Sequence, residues 1–329
     1  MGYRKVWLLS MKESKINYEE FVSRIRCQLY EIIPEDLNME VNPVLKNNSV
    51  HLDSLVLFRD SCGCSPSFYL QDYYAQYLRG VEIDALAEDI YERWQSFMDS
   101  SGDVLPDLSF EHCRKYVVYR LVNAAKNKEI LKDIPHIPFF DLAIVFYYLI
   151  NSDINGIQSL RINNHIMKNW NTNTQELFEL AQENTPRLFP ESFRSMTDYA
   201  RQFADSLCCS ADLPLERSPY ILTNSNGING ASVWLYPGIL ERVGEELGEN
   251  FYILPSSTHE LLILREQLGF TSPELLKMVF HVNRECVDAE EFLSDSIYYY
   301  HIGKKAIKMI PAVGSTQKGT LQNDQNPLL

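Results

Sequence analysis

The chain has 329 residues, 45% of them apolar and 22% charged, and 30 Lys and Arg against 44 Asp and Glu leave a net charge of −14. That length suits one large domain or two smaller ones around a substantial core. The acidic balance argues against a nucleic-acid surface built on bulk positive charge, and no apolar run reaches the roughly 18–20 residues that span a bilayer.

At the start of the chain, Val6–Leu9 is too short for the core of a signal peptide, and Val6 stands where a myristoylation signal needs Ser or Thr. Met11 offers a second start, which would make residues 1–11 a leader. The seven cysteines are Cys27, Cys62, Cys64, Cys113, Cys208, Cys209 and Cys286. An odd number at irregular spacing, without an export signal, points to reduced thiols and a cytoplasmic protein. There is no C-x-x-C pair and the histidines are scattered, so neither a metal nor another cofactor is expected.

Apolar residues at Phe21, Val22, Ile25, Leu29 and Ile32 predict a helix over 18–33, capped by Asn17 and stopped by Pro34. Met39–Leu45 and Val50–Phe58 form a hairpin through Lys46-Asn47-Asn48-Ser49. Helices follow over 70–78, ending at Gly80, and over 83–98. Ser100-Ser101-Gly102-Asp103 is the best boundary signal, dividing an N-terminal unit (12–103) from a C-terminal unit (104–310).

In the second half of the division, Tyr116–Val122 reads as a strand and Ala124–Leu131 as a short helix. Asp141–Ile150 is a central strand, which turns at Asn151–Gly156 and returns over Ile157–Ile162. Helices are predicted over 165–170, 174–189 (capped by Thr172 or Thr174) and 192–207, with a linker over 208–218. After residue 271, Ser272-Pro273-Glu274 opens a helix with Leu275, Leu276, Val279 and Val282 inward. Asp288-x-x-Glu291 reads as a capping box, and Ser296–Ile302 as the last strand. Residues 311–329 are polar, with nothing to bury, and read as a disordered tail.

The stretch from Pro219 to Arg265 is the most strongly patterned. Tyr220–Asn224 reads as a strand, Asn224–Gly230 as its turn, and Ala231–Tyr236 as the returning strand of a hairpin. Pro237 suits the first position of an amphipathic helix through Ile239, Leu240, Val243 and Leu247, with Gly248 as its stop. Phe251–Leu254 is a buried strand. The polar residues Ser256-Ser257-Thr258-His259-Glu260 are then either the loop of a hairpin returning through Leu261–Leu264, the preferred reading, or a helix capped by Ser257 with Glu260. A hairpin followed by a helix recurs around 39–79, 141–170 and 220–248. The fold class expected is α+β, with mixed sheets built from such units and helices packed on them.

The segments VLKNNSVHLDSL, SFYLQDYYAQYLRG, FFDLAIVFYYLI, LFELAQENTPRLFP, YILTNSNGINGA, YILPSSTHELLIL and EEFLSDSIYYY occur in this order. As an ordered set they resemble domain-of-unknown-function family 5688, a family of proteins of clostridial gut bacteria, over nearly all of residues 15–302. The resemblance implies a bacterial cytoplasmic protein. The family has no established activity, so no catalytic residues carry over. Family members tend to have a proline after the apolar run that follows the histidine and glutamate; here Arg265 and Glu266 stand there.

The polar loop carries the densest set of groups able to do chemistry: Ser256, Ser257, His259 and Glu260, with Asn224 as a further binding candidate from the neighbouring turn. A hydrolase needs a nucleophile, a base within hydrogen-bond reach and a group that orients the base. The residue types are present, but no G-x-S-x-G surrounds a serine, and a strand would point His259 and Glu260 to opposite faces. The glycines of Asn224–Gly230 come without a phosphate-loop lysine, so that stretch is a turn first. The leading expectation is a non-catalytic cytoplasmic binding or adaptor protein with a protein or small-molecule partner. The alternative is a hydrolase-type enzyme centred on residues 256–260.

Overall fold

The computed structural model describes residues 15–59, 65–101, 107–153, 156–198, 218–255 and 257–312. The chain forms two compact units, one of residues 1–46 and 51–106, the other of residues 47–50 and 107–329. The fold is α+β. Among the described residues every strand pairing is antiparallel, in place of the mixed sheets expected.

The first unit opens with α1 (Tyr18–Ile32), capped where Asn17 Oδ1 accepts the Glu20 amide at 2.9 Å. Its residues Phe21, Ile25 and Leu29 recur every four positions and are fully buried. The helix ends before Pro34, whose ring disfavours helical geometry in the residue before it. Strands β1 (Asn38–Leu45) and β2 (His51–Phe58) pair in register, and β3 (Ser67–Tyr69) adds to β2. Helices α2 (Leu70–Leu78) and α3 (Ile83–Ser101) follow. Leu86, Ile90 and Trp94 of α3 close the core against Leu55 and Leu57.

The second unit starts with α4 (Phe110–Cys113), β4 (Val117–Asn123) and α5 (Lys128–Leu131). The α5 helix begins late because Asn123 Oδ1 takes the Lys126 amide at 2.8 Å and holds a turn there. Strands β5 (His136–Phe139), β6 (Leu142–Asp153) and β7 (Gly156–Arg161) complete a four-stranded sheet in which β6 is central. Next come α6 (Asn164–Asn169) and α7 (Thr174–Leu188). The cap of α7 is Asn173, whose side chain accepts the Glu176 amide at 3.0 Å, and not either flanking threonine.

A six-stranded sheet follows, ordered β13-β12-β10-β11-β9-β8: β8 (Glu191–Ser195), β9 (Tyr220–Asn224), β10 (Phe251–Leu254), β11 (Leu261–Arg265), β12 (Ile297–His301) and β13 (Ala306–Ile310). Helices α8 (Ile239–Leu247) and α9 (Ser272–Glu285) complete the unit. Its core gathers Tyr119, Phe146, Trp234, Phe251, Ile263 and Tyr298.

Several expectations are corrected. Residues 192–195 form strand β8 where a helix was expected, because Pro190 ends α7 and the free edge of β9 takes up the chain from Glu191 to Ser195. Gly230–Leu235 is a 3-10 turn and not a returning strand. Both edges of β9 are already paired, with β8 and β11, and all six residues of the turn are buried. The third hairpin-plus-helix unit is therefore absent. Gly238, at φ +71°, caps α8, so Pro237 precedes the helix. Asp288–Phe292 closes a single turn on the Asp288 carbonyl instead of capping a helix. Ser296–Ile302 is not the last strand; Lys305, at φ +48°, turns the chain into β13. The leader, the rest of the 192–207 helix beyond residue 198, most of the 208–218 linker and residues 313–329 of the tail lie outside the described residues.

Candidate functional site

Phe251–Leu254 and Leu261–Arg265 pair directly as the two strands of a hairpin. The helical alternative is thereby excluded. Ser256 lies outside the described residues. The remaining candidates come together with two segments distant in sequence, the turn 225–230 and the turn 288–292.

His259 is held at every polar atom. Its ring Nδ1 accepts the Asn229 amide at 3.1 Å, and Nε2 lies 3.1 Å from Glu291 Oε1. An amide N–H can only donate, so Nδ1 carries no proton here, and the ring proton sits on Nε2, facing the carboxylate. The His259 amide donates to Ser257 Oγ at 3.0 Å, and its carbonyl accepts from Thr223 Oγ1 at 2.7 Å. Asn229 presents its amide because it adopts the left-handed conformation, φ +54°. Left-handed backbone suits Asn better than most residues.

The neighbouring residues explain the tightness. Thr258 donates its amide to the Glu291 carbonyl at 2.8 Å and accepts from the Ala231 amide at 3.1 Å. Gly230 is required: a Cβ there would fall 2.0 Å from Thr223 Oγ1 and 2.4 Å from the His259 carbonyl oxygen. Asn224 is buried and donates through Nδ2 to the Ile228 carbonyl at 2.9 Å. The turn carrying Glu291 is fixed in turn by Asn48, which belongs to this unit and donates through Nδ2 to the carbonyls of Ala289 and Phe292 at 2.9 and 2.7 Å.

Glu260 is the carboxylate of the loop. Burial raises its pKa above the ordinary glutamate value; His259 opposes the shift and the charge of Glu291 reinforces it. Ser257 Oγ accepts from the His259 backbone amide at 3.0 Å. Among the described residues, no group of three or more His, Cys, Asp or Glu side chains is placed to hold a metal ion.

Glu291, Asn229 and Thr223 are the members that sequence reading missed. Glu291 carries a signal, the D-x-x-E spacing, but its carboxylate turns to His259 rather than back to a helix cap.

A cleft of about 500 Å³ in the first unit, lined by Arg59, Tyr91, Glu92, Trp94, Gln95 and Met98 among others, contains none of these candidates. Within it Arg59 lies over the Trp94 ring and Tyr91 stacks on Trp94, and Arg59 also pairs with Asp36 at 2.9 Å.

The fold is α+β, and its polar loop is tied to turns distant in sequence. The family model for a family of unknown function, DUF5688, matches residues 18–302, and the chain belongs to that family. No curated protein and no solved structure matches the chain. No helix among the described residues is long and apolar enough to cross a membrane.

Proposed function

We propose that this chain is a non-catalytic binding protein of the bacterial cytoplasm, with a protein or small-molecule partner. The observation that carries the reading is the commitment of both His259 ring nitrogens, Nδ1 to the Asn229 amide and Nε2 to Glu291. A general base needs a nitrogen lone pair facing the proton it takes. The only unprotonated nitrogen of this ring faces an N–H donor. Free thiols at Cys27, Cys113 and Cys286 are in keeping with a reducing compartment, and the net charge of −14 disfavours nucleic acid as the partner.

The test is labelling of the full-length protein with a serine-directed fluorophosphonate, with mapping of the modified residue. The binding reading expects no labelling of Ser256 or Ser257. Stoichiometric labelling of either serine, lost in His259→Gln, would overturn it in favour of a hydrolase.

A further inference from the structure

The four-stranded sheet has one face in the core, carrying Tyr119, Leu121, Ile144 and Phe146. The pleat sends alternate residues to the other face, where an otherwise apolar strand, VVYRLVN, places Arg120. The Arg120 guanidinium lies 4.0 Å from the centroid of the Tyr147 ring on β6 and donates through Nη2 to Ser159 Oγ on β7 at 2.7 Å. Arg161 of β7 stands directly across from Tyr147 in the register. Facing residues on neighbouring strands share one face of a sheet. Arg120 and Arg161 therefore stand on the same sheet face as Tyr147, on the two strands that flank β6. Leu149 and Val118 at one end are packed by Leu188 and Phe189, whereas Arg120, Tyr147, Ser159 and Arg161 each keep part of their surface open.

Neither arginine has a carboxylate partner among the described residues; the polar contacts of Arg120 are neutral, and Arg161 forms no ion pair there. Burial lowers the pKa of Arg120 from its ordinary value; Tyr147 opposes that shift and the charge of Arg161 reinforces it. An arginine withdrawn from water without a counter-ion is costly unless an anion completes it. The hydroxyl of Ser159, which accepts from Arg120, keeps its own proton free to donate.

We propose that Arg120, Arg161, Tyr147 and Ser159 form a binding site for a small phosphate-bearing anion on the outer face of the four-stranded sheet. The charge matches. Two uncompensated guanidiniums suit a phosphate group carrying about −1.5 to −2 at neutral pH, and planar guanidinium forks suit its oxygens. A monocarboxylate would neutralise only one of the two. This site is separate from the loop around His259 and adds a ligand class to the binding reading.

The experiment is calorimetric titration of the full-length protein with inorganic phosphate and with O-phosphoserine, alongside acetate. One saturable site is expected for a phosphate ligand, weakening as ionic strength rises, with acetate at least tenfold weaker. A preference for O-phosphoserine assigns the site to organic phosphomonoesters, and a preference for inorganic phosphate to the free ion. Arg161→Gln and Arg120→Gln should each weaken binding at least tenfold. Because Arg120 is tied to Tyr147 and Ser159 across the sheet, Arg161→Gln decides the result, with circular dichroism and Tm compared for both. Absence of saturable binding by either phosphate, equal binding of acetate, or unchanged binding in Arg161→Gln would overturn the proposal. The labelling experiment at the serines is independent of all these outcomes.

Discussion

The backbone amide of Asn229 donates to Nδ1 of His259 across 3.1 Å, joining two turns 30 residues apart. The loop is thus tied through a ring that would otherwise be its most reactive group. Ser257→Ala removes the acceptor of the His259 amide and should cost about 1 kcal/mol of stability. Urea unfolding followed by circular dichroism checks this; an unchanged midpoint would mean that the Ser257 hydroxyl contributes nothing to the turn.

Gly230→Ala should be far more damaging. The new Cβ would meet backbone atoms, the His259 carbonyl oxygen at 2.4 Å and the Asn224 amide nitrogen at 2.8 Å, as well as Thr223 Oγ1. Backbone cannot swing aside like a flexible side chain, so a loss of about 2 kcal/mol or more is expected. The same urea series reads it, and a loss below about 0.5 kcal/mol would show that the turn repacks freely.

Glu260 links the loop to pH. Burial raises its folded-state pKa above the unfolded value. Between the two values the folded state binds more proton than the unfolded one, so this group's contribution is present below the unfolded pKa and lost as pH rises through the folded one. Glu260→Gln should therefore raise Tm at neutral pH and flatten the fall in stability just above the ordinary glutamate range. Parallel Tm–pH curves for the two proteins would contradict this.

Helix α8 gives a control remote from the chemistry. Val243 is 2% exposed, while Glu245 faces solvent. Val243→Asp buries an unpaired charge and should cost about 3 kcal/mol or more. Glu245→Lys should stay within about 0.5 kcal/mol of wild type. Equal losses would refute the assignment of the two faces.

These elements differ in how far the sequence disclosed them. Helices α1 and α8 carry their apolar residues on one side and polar residues on the other, so period alone locates Phe21, Ile25 and Leu29, or Val243 and Leu247. The β10–β11 hairpin was legible because a polar loop separates two short apolar runs. Gly230–Leu235 was not: a segment buried on every side loses the solvent face that gives a pattern its period. Glu191–Ser195 is a strand because a neighbouring edge needs hydrogen bonds, a fact about β9 that its own residues do not contain. The site divides in the same way. The residue types at Ser257, His259 and Glu260 advertise themselves, but their chemistry is decided by Asn229 and Glu291, which only the folded chain brings near. Arg120 was a single charge in an apolar strand, with no local signal of Arg161 one strand beyond Tyr147.

The central claim is that the imidazole of His259 is a structural tie and not a base. Nitrogen-15 NMR of the imidazole ring tests it most directly, with His259 assigned by its loss in His259→Gln and spectra taken at about pH 8.5, above the ordinary histidine range. The account predicts a ring proton on Nε2, donating to Glu291, and an unprotonated Nδ1 held by the Asn229 amide. A ring protonated at Nδ1, leaving Nε2 with a free lone pair, would contradict it.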